Sequence, residues 1–236
     1  MRIYDEYRSK LRTADEAVKV VKNGDWLDYT TGNGFPRALD EALARRRDEL
    51  KDVKVRGNLL KGPIKIVECD PEREHFIYNS WHCSEYERKL CDKGLCNYIP
   101  MIFRNLVEYY RHFLDVNVAM ISVTPMDKHG YFNLSTSIGV AKGILDKADM
   151  VIVEINERLP VIHGGWDDSI HISEVDMVVI GDNPPLMDMK IPVPKDTDIK
   201  IAEAIIPYIS DGCMLQLGIG GLPGVIGELI ADSELK

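Results

Sequence analysis

No apolar run in this chain reaches the length of a membrane span, and its opening residues, Met1-Arg-Ile-Tyr-Asp-Glu-Tyr7, lack the apolar core of a secretory signal. A cytoplasmic protein with no membrane role is therefore expected. Positive charge is also scarce. Lys and Arg number 29 against 38 Asp and Glu, for a net charge of −9. Such a chain lacks the broad basic surface that nucleic acid requires, so no nucleic-acid partner is expected. A polyanionic cofactor is still allowed, because a few local cations or backbone N–H groups can hold one. The five cysteines are odd in number and form no CxxC pair, which argues against a disulfide framework. Cys83, Cys91 and Cys96 lack zinc-type spacing and read as packed thiols, so no metal is expected. His82-Cys83 reads the same way, since sequence neighbours rarely place a thiol and a base for nucleophilic catalysis.

With 45% hydrophobic and 28% charged residues in 236, the composition is that of a globular protein. The length fits one large domain, or one and a half smaller ones. The most informative stretch is Cys213-Met-Leu-Gln-Leu-Gly-Ile-Gly-Gly-Leu-Pro-Gly224. Cys213 to Leu217 has the length of a buried strand. Gly218, Gly220 and Gly221 then break it, and Pro223 opens an apolar-periodic helix. A strand, a glycine turn and a helix present free N–H groups and a helix N-terminus, which suit an anionic ligand or an oxyanion. A turn that merely saves space would use the same glycines. The pattern is not a dinucleotide fingerprint, because Pro223 stands where its next glycine belongs.

The rest of the chain alternates strands and helices. Thr13-Ala-Asp-Glu16 is a capping box, Gly24 stops its helix, and Trp26 to Tyr29 reads as a strand entering a second glycine turn, Thr30-Thr-Gly-Asn-Gly-Phe-Pro36. A helix with Ala38, Leu39, Ala42 and Leu43 on one face follows, and Arg45 to Arg47 form its solvated end. Strands are expected over 53–60, 65–68, 118–124, 150–155 and 177–180, and helices over 84–93, 106–113 and 138–148. Several strands are unbroken Val/Ile runs, which predicts an α/β fold with a largely parallel sheet flanked by helices. Residues 1–182 then form an N-terminal domain. The Pro-rich 183–195 is a linker, and 196–236, with a helix over 196–209, begins a second similar domain too short for a core of its own.

Several segments together resemble the acetyl-CoA hydrolase/CoA-transferase family, and within it the butyryl-CoA:acetate CoA-transferases. They are Thr13 to Lys19 with Gly24-Asp25, Asn79-Ser-Trp-His82, Glu87-Arg-Lys89, Pro125-Met-Asp-Lys-His-Gly-Tyr-Phe132, Val153-Glu-Ile-Asn156, Ile170 to Asp176, and Gln216 to Pro223. The resemblance implies a transferase moving CoA from a short-chain acyl-CoA to acetate through a glutamyl-CoA thioester, with CoA as substrate and no tightly bound cofactor. It places Gly218, Ile219, Gly220, Gly221 and Leu222 against CoA. The family's nucleophilic glutamate comes past the point where Lys236 stands, so no catalytic residue is assigned here, and Glu228 and Glu234 do not match its motif. The expected partners are acyl-CoA and short-chain carboxylates, a C-terminal half or companion subunit, and further copies in a homo-oligomer. A 4-hydroxybutyrate CoA-transferase, an acyl-CoA hydrolase, or a noncatalytic subunit or ligand-binding module would carry overlapping motifs.

Three further positions stand out. His129 could line the acyl or carboxylate pocket, or hold a turn. Gly32 and Gly34 form a tight turn near the cleft, with ligand contact the second reading. His171, Ser173 and Glu174 superficially suggest a triad, but no nucleophile elbow accompanies them, and structural hydrogen bonding is expected.

Overall fold

The computed structural model describes residues 3–186 and 193–235. The chain divides into two compact units, Met1–Met187 and Asp188–Lys236. Residues 187–192 of the expected linker lie outside the described residues.

The first unit opens with helix α1 (Ile3–Lys10), strand β1 (Leu11–Arg12) and short helix α2 (Ala14–Ala17). There follow β2 (Trp26–Thr31), α3 (Arg37–Arg45), β3 (Val53–Asn58), α4 (Lys65–Glu68), β4 (Phe76–Ser80), α5 (Glu85–Asp92) and β5 (Asn97–Tyr98). The second half carries α6 (Leu106–Phe113), β6 (Val118–Val123), β7 (Tyr131–Asn133), α7 (Ala141–Lys147), β8 (Met150–Ile155), β9 (Ser169–His171) and β10 (Met177–Ile180). Eight strands form one sheet in the order β1-β10-β8-β6-β2-β3-β4-β5, and every pairing in it is parallel. β7 and β9 form a separate antiparallel pair.

The sheet is buried on both faces, as a parallel sheet must be. Along β6, Val118 and Met120 join one core with Leu27, Tyr29, Leu39 and Leu43. Ala119, Ile121 and Val123 join the other, with Tyr110, Ile144 and Phe132. The period-2 alternation of one apolar run thus builds two cores. Capping boxes start α2 and α5: Thr13 Oγ1 and Ser84 Oγ accept from the Glu16 and Glu87 N–H groups, at 3.2 and 3.1 Å. The expected solvated arginine run is only partly so. Arg45 pairs with Asp15, but Arg46 turns inward to the carbonyls of Val18 and Val21.

One buried polar cluster crosses β2 and β3. Arg56 donates to both carboxylate oxygens of Asp28, with Nη2 2.7 Å from Oδ2. Its guanidinium lies 4.6 Å from the Trp26 ring centroid. Tyr110 also donates to Asp28 and accepts from Trp81 Nε1 at 2.9 Å. Burial pushes the Asp28 carboxyl up to about 6 even against the pull of Arg56.

Two sequence expectations need correction. Lys65–Glu68 is a helical turn, α4, not a strand. Four residues carry too little periodicity to separate the two. What decides is the fold: Asp40 accepts the Lys65 N–H at 2.6 Å, and Lys65 pairs with Glu68 one turn on. In the second unit, Cys213 to Leu217 forms no strand and is exposed throughout. A strand needs a neighbour to take its backbone groups, and among the described residues of this unit there are only the helices α8 (Asp196–Ile205) and α9 (Gly221–Ala231) with a 3₁₀ turn over Ile206–Tyr208. The unit does form a small apolar cluster, Ala202, Val225 and Ile226, with Leu222, Leu229 and Ile230 against it.

Candidate active site

Ligand sites of parallel sheets lie at the carboxyl ends of the strands, where the strand order reverses. Here the chain steps outward from β2 through β3 and β4 to β5. It then returns to place β6 on the other side of β2. The loop after β2 therefore sits at the switch point, and it is the second glycine turn singled out above.

That turn is shaped by close approach. Gly32 has φ +56, a conformation that favours glycine. A Cβ at Gly34 would lie 2.8 Å from Thr30 Cγ2 and 2.9 Å from Ser137 Cβ. Thr30 Oγ1 donates to the Ser137 carbonyl at 3.2 Å and Asn33 Nδ2 to Thr136 Oγ1 at 3.2 Å. The turn thereby lies directly on residues 135–137. A cleft opens beside it, lined by Gly32, Asn33, Arg37, Lys61, Asn156 and Leu159 among others. All six follow the carboxyl ends of β2, β3 or β8. The Arg37 guanidinium makes no hydrogen bond or ion pair with the described residues, and with Lys61 it gives this rim a positive charge.

Glu154, next to last in β8, is the group that sequence reasoning missed. It is 1% exposed, and its Oε2 accepts the Leu39 N–H at 2.9 Å. It also accepts from the N–H of Ala38, and the two are free amides in the first turn of α3. Burial drives its carboxyl up to about 7; the Leu39 and Ala38 amides oppose this, and the charges of Asp182 and Asp40 add to it. Gly181 allows this placement, since a Cβ there would meet Glu154 Oε1 at 2.9 Å. Asp40 is likewise buried and pushed up to about 7, chiefly by burial, while it accepts from Lys65 N and Tyr29 Oη. The signal was present in Val-Ile-Val-Glu-Ile: a charged residue inside a run that reads as a fully buried strand.

The two glycine turns thus differ. Behind Gly32 and Gly34, the N-terminus of α3 is occupied by an internal carboxylate. Behind Gly218 to Leu222, α9 begins with no side-chain cap. Gly218, Ile219 and Gly220 are exposed, and Gly221 and Leu222 are partly so. Gly220 takes φ +151, and a Cβ there would find Pro223 Cδ no nearer than 3.5 Å. Backbone geometry, not crowding inside the chain, is what calls for glycine at this position.

The histidines are turn residues in this structure. His129 is exposed, and its N–H, like that of Tyr131, donates to Asp127 Oδ1 at 2.8 Å. Partial burial opposes ionisation of Asp127, yet these backbone donors hold its carboxyl below the usual range. His171 Nδ1 lies 2.7 Å from Ser173 Oγ, and Glu174 Oε2 accepts the His171 N–H at 3.2 Å. The His171 and Glu174 side chains close a capping box with backbone N–H groups, and the three residues show no triad geometry.

A wholly parallel sheet with a glycine turn at its switch point defines a small-ligand-binding α/β domain. The comparisons narrow this. Residues 1–188 match the acetyl-CoA hydrolase/transferase N-terminal domain, and the chain belongs to that family. It is 45% identical to a butyryl-CoA:acetate CoA-transferase of Anaerostipes caccae, over 100% of this chain and 53% of that protein. It is 42% identical to a probable butyrate:acetyl-CoA coenzyme A-transferase of Syntrophomonas wolfei, with the same coverage. Among solved structures it resembles RipA from Yersinia pestis, with a TM-score of 0.88 and 29% identity over 98% of this chain and 56% of that one. The chain spans about half the length of these relatives. Among the described residues, no helix is long and apolar enough to cross a membrane.

Proposed function

We propose that this chain is the N-terminal part of a CoA-transferase that moves CoA from butyryl-CoA to acetate through a glutamyl-CoA thioester. The observation that carries the reading is the 45% identity, along the whole chain, to a protein named for that reaction. A 4-hydroxybutyrate coenzyme A transferase of Clostridium kluyveri is more distant, at 29%. The nucleophile in this scheme is a glutamate past Lys236. Its carboxylate attacks the acyl carbonyl and expels CoA thiolate, leaving a mixed anhydride. The thiolate then attacks the glutamyl carbonyl, releasing butyrate and leaving the thioester, and acetate reverses the two steps. Each addition passes through an oxyanion. The uncapped first turn of α9 and the Gly218 to Leu222 backbone supply N–H donors of the kind that stabilise one and that accept CoA beside it. Arg37 and Lys61 offer charge to the carboxylates or to the CoA phosphates.

The test uses the full-length protein. It should form acetyl-CoA from butyryl-CoA and acetate, and borohydride should reduce the trapped thioester to an inactive enzyme. Gly220→Val should lower turnover by roughly a hundred- to thousand-fold, the cost of one oxyanion donor, while the protein stays folded by circular dichroism with a melting temperature lowered by the strain of a β-branched residue at φ +151. Release of free CoA without acetyl-CoA would replace the transferase by a hydrolase. Near-normal turnover in a folded Gly220→Val protein would remove this loop from the mechanism.

A further inference from the structure

Cys83, Cys91 and Cys96 lack metal-type spacing in sequence, yet the fold gathers them. Their Sγ atoms all lie within 4.8 Å of one another, and those of Cys83 and Cys91 are 3.7 Å apart. All three are free thiols. Three thiolates around a tetrahedral zinc ion, at Zn–S distances of about 2.3 Å, sit about 3.8 Å apart. The cluster therefore already has close to the spacing such a cation needs. A disulfide needs sulfurs near 2.0 Å apart.

The scaffold holds the three groups firmly. Cys83 precedes the Ser84 capping box of α5, and Cys91 lies in the last turn of that helix. The helix then closes in a Schellman motif: Leu95 N donates to the Leu90 carbonyl at 2.8 Å and Gly94 N to the Cys91 carbonyl at 2.9 Å, with Gly94 at φ +71. That reversal returns the chain so that Cys96 faces the other two. Ser80 Oγ is fully buried beside the Cys83 thiol. An open cleft gives access, lined by Cys83 and Cys91 with His82, Arg88, Lys89 and Tyr98. Burial, first, holds the Cys83 and Cys96 thiols above their usual range, which disfavours reading the cluster as a ready nucleophile.

We propose that Cys83, Cys91 and Cys96 form a binding site for a thiophilic divalent cation of the zinc type, with the fourth coordination position open to the cleft. Binding releases three thiol protons to solvent and leaves a complex of charge −1, beside a cleft that carries Arg88 and the Lys89–Glu85 ion pair together with Asp92. The site is independent of the transferase reading, being built on α5 and its flanks.

The full-length protein, reduced and freed of metal by chelation, should bind one Co(II) per chain and show thiolate-to-cobalt charge-transfer absorption with the visible bands of tetrahedral cobalt. Zn(II) should abolish these bands stoichiometrically and raise the melting temperature. Cys96→Ser should lose the charge-transfer band or weaken Co(II) binding at least tenfold, whereas Cys213→Ser should keep both. Because Cys96→Ser could disturb packing, Cys91→Ser at the cleft edge is measured beside it, with far-UV circular dichroism to confirm that each variant is folded. Absence of thiolate bands in the reduced wild-type protein would overturn the proposal. So would Co(II) binding as tight as that of the wild-type protein in folded Cys91→Ser and Cys96→Ser.

Discussion

Replacing Glu154 by Gln should make the protein less stable in acid and more stable in base. In the folded state the carboxyl is raised from 4.5 to about 7 by burial. A group whose folded pKa is raised contributes its full stability below the unfolded value and loses it as pH climbs through the folded one. For Glu154 that window runs from about pH 4.5 to 7. A difference of about 2.5 pKa units corresponds to about 3 kcal/mol, withdrawn by the time the group is ionised. Gln keeps one acceptor oxygen for the amides of Leu39 and Ala38, and loses the second at a cost of about 1 kcal/mol. Near pH 5, where Glu154 is protonated, the variant should thus be less stable by about 1 kcal/mol. Near pH 8.5 it should be more stable by about 2 kcal/mol, a rise in melting temperature of roughly 4–8 °C for a domain of this size. Urea unfolding at the two pH values, at fixed salt, measures the crossing directly. The opposing effect is the N-terminus of α3, whose dipole favours an anion. If Glu154→Gln is destabilised at both pH values, and more so at the higher, that effect outweighs burial and the reasoning fails.

Asp28→Asn should cost about 3–5 kcal/mol in chemical denaturation, because it leaves Arg56 charged in the core. Adding Arg56→Met to it should recover most of the loss, and a single-variant cost below about 1 kcal/mol would show that the pair is not what holds β2 to β3. Gly34→Ala should cost about 1–3 kcal/mol through overpacking against Thr30 and Ser137. Ser137→Gly should relieve part of that, while an unchanged melting temperature in Gly34→Ala alone would mean the turn has room to move.

Much of the fold was readable because local chemistry and global packing agree. The Val118 to Val123 run, the Thr13 capping box and the glycine turn before α3 each specify one outcome, and the structure contains it. Disagreement arose where distant partners decide. Asp40 turns Lys65–Glu68 into a helical turn, and Cys213 to Leu217 finds no neighbouring strand within its own unit. β4 went unread because Phe-Ile-Tyr-Asn-Ser mixes polar residues into a strand that is buried by its place in the sheet. Of the site, the glycine turns were legible from backbone demands alone. That Glu154 occupies the N-terminus of α3 was not, since the contact joins residues 115 positions apart. The three cysteines are the same case: spacing along the chain reports a metal site only when one local motif holds the ligands.

The sheet also says where other chains can attach. Its outermost members, β1 and β5, are two residues long each, so an incoming strand would find little more than one rung of backbone donors and acceptors at either border. Edge-to-edge growth, the usual hazard of an open sheet, is closed off by brevity alone. At the borders of this sheet, contacts with other chains are therefore left to side chains on helices and loops. Their specificity then lies in surface composition, and is open to substitution without touching the sheet.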